Sequence, residues 1–184
     1  MNRSELESLL TGELCWLFHS YWWRLRDACG GVPPRRDFDP AEIKAALPFI
    51  VLHDMGEPGK SIMRLCGTGI AERFGLDPTG RDYMEFVSEE RRPSAYRELI
   101  TTASHPCGMR IIIEARYRSG RRTLAESIGY PLTGSKGQPM MLFVDQLIER
   151  LAPDLNQRAQ PLAIFEVRER DYVDIGLGVP GKAG

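Results

Sequence analysis

The sequence predicts an α+β fold: a five-stranded antiparallel sheet with short helices and one longer helix on one face, plus an N-terminal amphipathic helix. Three observations predict it. Five runs, FIVLHDM, SIMRLCG, MRIIIEARYR, RRTLAESIGYPL and QPMMLFVDQLI, are rich in β-branched, aromatic and other apolar residues, and glycine-bearing turns separate most of them. The one long connection, between the second and third runs, carries helical rather than alternating patterns. Ahead of the first run lies an apolar stripe at helical spacing.

That stripe spans about Ser4 to Ala28. Leu6, Leu10, Leu14, Leu17 and Tyr21 recur at intervals of three and four, with Phe18, Trp22 and Leu25 widening the face. Ser4 and Glu7 fit a capping box, and Gly30-Gly31 supplies the stop. A stripe this wide needs a partner surface, and the expectation is a homodimer seam formed by Leu10, Leu14, Leu17, Phe18, Tyr21 and Trp22. After the linker GGVPPRRDF, Asp39-Pro40 starts a short helix that ends at Pro48. FIVLHDM and SIMRLCG, joined by GEPGK, read as a hairpin. GTGIAERFG forms one or two helical turns, DPTGRDYMEFV a loop with short helical pieces, and the segment from Ser88 to Ser104 the longer helix.

The three strands that follow carry the register question. If Gly120-Arg121 is a two-residue hairpin turn, Ile113 lies opposite Ile128 and Tyr117 opposite Leu124. Met109, Ile111, Ile113, Ala115 and Tyr117 then share a face with Leu124, Glu126, Ile128, Tyr130 and Leu132. After Pro153 come a polar connector, a possible strand LAIFEV and a glycine-rich end. The expected organisation is residues 1–38 as helix and linker, 39–150 as the domain, and 151–184 as a partly flexible extension.

Composition bounds the function. With 24 basic and 25 acidic residues among 184, the chain offers no electrostatic case for nucleic acid or an anionic membrane. No apolar run approaches the roughly 18–20 residues of a membrane span, and the acidic start MNRSELESLL lacks the pattern of a signal peptide. The expectation is a cytoplasmic protein. Cys15, Cys29, Cys66 and Cys107 are scattered, with no metal-ligand spacing.

The order of elements, together with GTGIAERFGLDPTGRDYMEFV and RYRSGRRTLAESIGYPLTGSKGQPMMLFVDQLIER, resembles the PAS domain family, most of all its short stand-alone bacterial members. Phe74-Gly75 and Gly80-Arg81 stand at the turn after the family's small helix. Gly120, Glu126, Pro131-Leu132, Gly137, Asp145, Glu149 and Arg150 stand at its C-terminal sheet positions. The likeness covers roughly Asp39 to Arg150. Two positions depart from it: a frequent strand tryptophan is Leu124, and a threonine after the closing aspartate is Leu147.

The resemblance implies a sensory, ligand-binding or dimerising module, with an internal cavity between one sheet face and the helices. Phe74, Tyr83, Phe86 and Tyr96 would come from the helical side, and Ile113, Glu126 and Ile128 from the sheet. A carboxylate among aliphatics needs a partner: Glu126 either orients a cationic or hydrogen-bonding ligand, pairs with an arginine such as Arg110 or Arg81, or faces outward. Light-sensing relatives carry GRNC; here GRDY puts Tyr83 where the reactive thiolate would stand, which argues against that flavin chemistry. His105, just past the longer helix, reads as a surface or capping residue rather than a haem ligand. GEPGKS resembles the end of a phosphate loop, but Asp54 replaces the needed glycine and a strand follows.

No cofactor or metal is expected. The leading reading is a non-catalytic sensory module that binds a small molecule or a partner signalling protein and acts through self-association. The alternatives are a small enzyme with a catalytic cavity, which would need a buried titratable pair, and a purely structural subunit.

Overall fold

In a computed structural model, residues 1–152 and 162–181 are described. The leading segment is two helices rather than one: α1 (Arg3–Leu9) and α2 (Glu13–Cys29). Asn2 caps α1 in a capping box with Glu5, in place of the expected Ser4 and Glu7. Gly30 closes α2 in the left-handed conformation, φ 72°. A 3-10 segment, Pro40–Phe49, capped by Asp39, leads into β1 (Ile50–Asp54) and β2 (Ile62–Cys66). The crossing is made by α3 (Thr68–Phe74), a 3-10 turn at Tyr83–Phe86, and α4 (Arg92–Ser104). Then follow β3 (Gly108–Tyr117), β4 (Arg122–Thr133), β5 (Pro139–Ala152) and β6 (Leu162–Val173).

The sheet is antiparallel, in the order β2-β1-β5-β4-β3-β6. Among the described residues it therefore has six strands, not five. LAIFEV is the start of β6, which pairs with β3 along Gly108 to Tyr117, so part of the expected flexible extension is an edge strand. The polar connector and the last three residues lie outside the described residues.

The β3–β4 register differs from the sequence expectation. Gly120, at φ 86°, occupies the left-handed end of a three-residue loop: its N–H donates to Tyr117 O, and Tyr117 N–H donates to Arg121 O. Ile113 consequently faces Ala125, and Ile112 faces Glu126. The offset from the expected pairing is an odd number of residues, so β4 turns over relative to the expected faces. Met109, Ile111 and Ile113 share a face with Ala125 and Ser127, while Glu126, Ile128, Tyr130 and Leu132 look the other way.

That other face carries the larger core. α2 lies across β4 and β5, burying Phe18 and Trp22 completely against Ile128, Tyr130, Leu142 and Val144. Trp22 stacks on Tyr130 at 4.4 Å between ring centroids and donates its Nε1–H to Pro131 O. The stripe expected to need a second copy is thus covered by the chain's own sheet. Leu10, Phe18, Tyr21 and Trp22 are buried, and only Leu14 and Leu17 stay half-buried. The expectation failed because it assigned α2 only part of a sheet face. In fact the helix has a whole face, since α3 and α4 occupy the other.

Trp22→Ala should lower stability by about 3–5 kcal/mol, through a cavity between α2 and β4 and an unmade hydrogen bond. Urea unfolding monitored by far-ultraviolet circular dichroism measures the loss; a change under about 1 kcal/mol would show that the helix does not hold the sheet.

Candidate functional site

On the second sheet face the strands turn inward a row that is largely aliphatic and neutral: Val51 and His53 from β1, Met109, Ile111 and Ile113 from β3, Ala125 and Ser127 from β4, Phe143 from β5. Small residues keep this face hollow. Gly129 belongs here because a Cβ would sit 2.2 Å from the Phe143 ring, which lies over it. The opposite wall is helical. Ile70, Arg73 and Phe74 come from α3, Tyr83 and Phe86 from the 3-10 turn that Asp82 and Glu85 cap reciprocally, and Glu98 and Leu99 from α4. Between the walls lies a cavity of about 870 Å³, within the range of small-molecule sites.

The cavity's burial is graded. His53, Met63, Ile70 and Met109 are buried at the inner end, whereas Leu76 and Leu147 are 41% and 45% exposed towards solvent. His53 sits edge-on to Tyr83 at 5.3 Å and to Phe143 at 5.6 Å, and its Nδ1 is 2.9 Å from Ser61 Oγ. Burial pushes its pKa down to about 4, so it is a neutral imidazole near pH 7. Burial also pushes the Tyr83 phenol up. Across the cavity Arg73 Nη1 donates to Asp145 Oδ2 at 2.6 Å, tying α3 to β5.

Of the residues expected in the cavity, Phe74, Tyr83, Phe86 and Ile113 line it. Tyr96 does not; its hydroxyl accepts from Gly59 N–H at 2.7 Å and pins the β1–β2 turn. Glu126 and Ile128 are corrected to the α2 face by the register. Glu126 is fully buried there, and it has partners. Its Oε2 accepts from the Thr11 and Gly12 N–H groups at 3.0 and 2.8 Å, and its Oε1 from Arg110 Nε at 2.9 Å. It serves as the N-terminal cap that α2 lacks in its own sequence. The pairing with Arg110 is among the arrangements the sequence left open.

Sequence reasoning missed His53, Ser127 and the Arg73–Asp145 pair. Alternation along Ile50–Asp54 places His53 on the same face as Val51, a usable signal. The ion pair joins residues 72 positions apart and leaves no local trace. None of the four cysteines lines the cavity. Among the described residues no helix is long and apolar enough to cross a membrane, and no cluster of three His, Cys, Asp or Glu side chains could hold a metal ion.

A PAS domain family model matches residues 15–144. The match spans most of the chain, and the protein belongs to the PAS domain family. No curated protein matches it. Among solved structures, it is similar to VqmA of Vibrio cholerae in complex with ligand and DNA, with 13% identity, a TM-score of 0.43, and 61% of this chain and 52% of that one covered. The chain thus spans about half of that protein's length. It is also similar to a light-oxygen-voltage domain studied with a flavin analogue, at 16% identity, TM-score 0.45, and 61% and 87% coverage. An RNA-binding light-oxygen-voltage receptor matches at 15% identity, TM-score 0.44, and 64% and 36% coverage. Likeness at this level concerns the fold alone. The comparisons do not test the expectation that nucleic acid is absent from this protein's partners.

Two outcomes test the site. Glu126→Gln should destabilise the protein by about 1–3 kcal/mol, because an amide cannot accept from two backbone N–H groups and Arg110 as a carboxylate does. It should leave any affinity of the cavity unchanged; an altered affinity would return Glu126 to the ligand site. His53 should titrate near pH 4 by nuclear magnetic resonance, remaining neutral through pH 5 to 8. An imidazole midpoint at the ordinary value near 6.5 would show that the inner end of the cavity is wet.

Proposed function

We propose that this PAS domain is a non-catalytic sensory module that binds a small organic molecule in its cavity and passes the change on through self-association or a partner signalling protein. The observation that carries this reading is the cavity itself. A sheet face and three helical elements enclose about 870 Å³, apolar in most of its lining, with a neutral histidine at the inner end. Occupancy would bear on α3 and α4, which supply much of the helical wall of the cavity.

A catalytic reading finds no support in the His53–Ser61 pair. Ser61, beside His53, is fully buried and does not line the cavity, so no substrate carbonyl can reach its hydroxyl. Self-association is part of the proposal, but its surface cannot be Phe18 and Trp22, which belong to the chain's own core. The outward ridge of α1 and α2, with Leu9 and Trp16 exposed, is the surface of the leading helices that remains.

Native mass spectrometry of protein purified gently from its own host tests the reading. The expected result is a bound small molecule that is lost in Ile113→Trp, where an indole fills the cavity without touching the α2 face. Equal ligand retention in that variant, or protein without any bound mass, would refute it.

A further inference from the structure

His53 stands at the inner end of the cavity with hydrogen bonds that can be counted atom by atom. It is 6% exposed, and the rings of Tyr83 and Phe143 flank it edge-on. Its Nδ1 lies 2.9 Å from Ser61 Oγ. Ser61 is fully buried, and its hydroxyl reaches no other acceptor among the described residues. A hydroxyl sealed from water has to donate within the protein. An imidazole proton on Nδ1 would point at Ser61 Oγ and leave the Ser61 hydrogen without an acceptor. The pair is satisfied when Ser61 Oγ–H donates to a bare Nδ1, which puts the proton of the neutral ring on Nε2.

Nε2 bonds to nothing among the described residues, yet it keeps accessible surface, and that surface is cavity wall. The buried side chains that line the inner end with it, Val51, Met63, Ile70 and Met109, carry no oxygen. A ligand that fills this end excludes water from the N–H, so it either supplies an acceptor or leaves the donor unpaired. A hydrocarbon leaves it unpaired. A carboxylate would exchange its hydration for a single neutral donor. Resting on the reading that the cavity binds a small molecule, we infer that the ligand is an uncharged molecule with an apolar body, whose carbonyl oxygen or unprotonated ring nitrogen accepts from His53 Nε2–H. Ser61 is the positioning residue, because its hydroxyl selects the tautomer that turns a donor towards the hollow.

Two measurements test this. In the unmodified protein, long-range proton–nitrogen nuclear magnetic resonance should show His53 protonated on Nε2 and bare on Nδ1; a proton on Nδ1 would overturn the inference. Isothermal titration then compares benzophenone with diphenylmethane, two probes of one skeleton that differ by a carbonyl in place of a methylene. Benzophenone should bind at least about fivefold tighter. The advantage should fall below about twofold in His53→Phe with Ser61→Ala, which removes both hydrogen-bonding partners together and leaves neither unpaired. Circular dichroism would confirm that this variant is folded. Equal binding of the two probes, or an advantage that survives the double substitution, would overturn the ligand class while leaving the cavity reading standing. Binding of neither probe would overturn both.

Discussion

One buried carboxylate decides where the leading helices meet the sheet. Glu126 points from the middle of β4 at the start of α2, whose first N–H groups have no cap in their own sequence, since Gly12 stands at that position. The helix accepts its cap from the sheet, and Gln146 adds a second by accepting from Leu14 N–H at 2.6 Å. Gly12 favours this approach: a Cβ there would come within 2.7 Å of Gln146 Oε1 and 3.2 Å of Glu126 Oε2, and both capping side chains would have to give way. The break between α1 and α2 follows from the same contact. A continuous helix would use the Thr11 and Gly12 N–H groups internally and leave Glu126 buried with Arg110 as its sole partner. Once α2 is anchored here, Phe18 and Trp22 fall onto Ile128 and Tyr130, one and two helical turns along.

The consequence is a sheet with two unlike faces. The α2 face is filled by large rings, and the helix lies directly on the strands. The other face carries Ala125, Ser127 and Gly129 along β4, residues too small to fill the space under α3 and α4. Filling one face makes the hollow on the other tolerable, because the core of the first face does not depend on what the second contains. Beyond the cap, Arg110 also reaches Glu169 and Asp171 of β6, and Glu114 gathers Arg168, Arg122 and Arg116. Those arginines hold the Glu114 carboxyl down to about 2. The extra edge strand is thereby tied to β3 by charges as well as by its backbone ladder.

Element order was legible in the sequence because it rests on local signals. The alternation in the strands, the helical stripe of the leading segment, Asp39-Pro40 and Gly30 each mark an element or its end through chemistry within a few residues. The family likeness was legible for the same reason. Register was not. Gly120 signals a turn equally well in a two-residue or a three-residue loop, and the choice depends on which side of the glycine the strands close. Both β3 and β4 are largely buried on both faces, with charged and polar residues buried among the apolar ones, so alternation could not correct the error. One misjudged loop moved Glu126 and Ile128 to the wrong face, while Phe74, Tyr83 and Phe86, placed by helices, were unaffected.

The same reasoning explains why a polar residue in a strand is a poor guide to a binding site until register is known. Glu126 and Ser127 are adjacent, both buried, and point to opposite faces. The charged one, which attracts attention in the sequence, has its lone pairs occupied by Arg110 and two backbone amides. The neutral one faces the hollow. A buried carboxylate must be paired in every state of the protein, or its burial is too costly to keep. A cavity that fills and empties is therefore better walled by groups that tolerate both conditions: aliphatic side chains, a serine hydroxyl, and a histidine that burial keeps uncharged. Charge in such a wall is either held in a pair, as Arg73 and Asp145 hold each other, or reaches water, as at exposed Arg150.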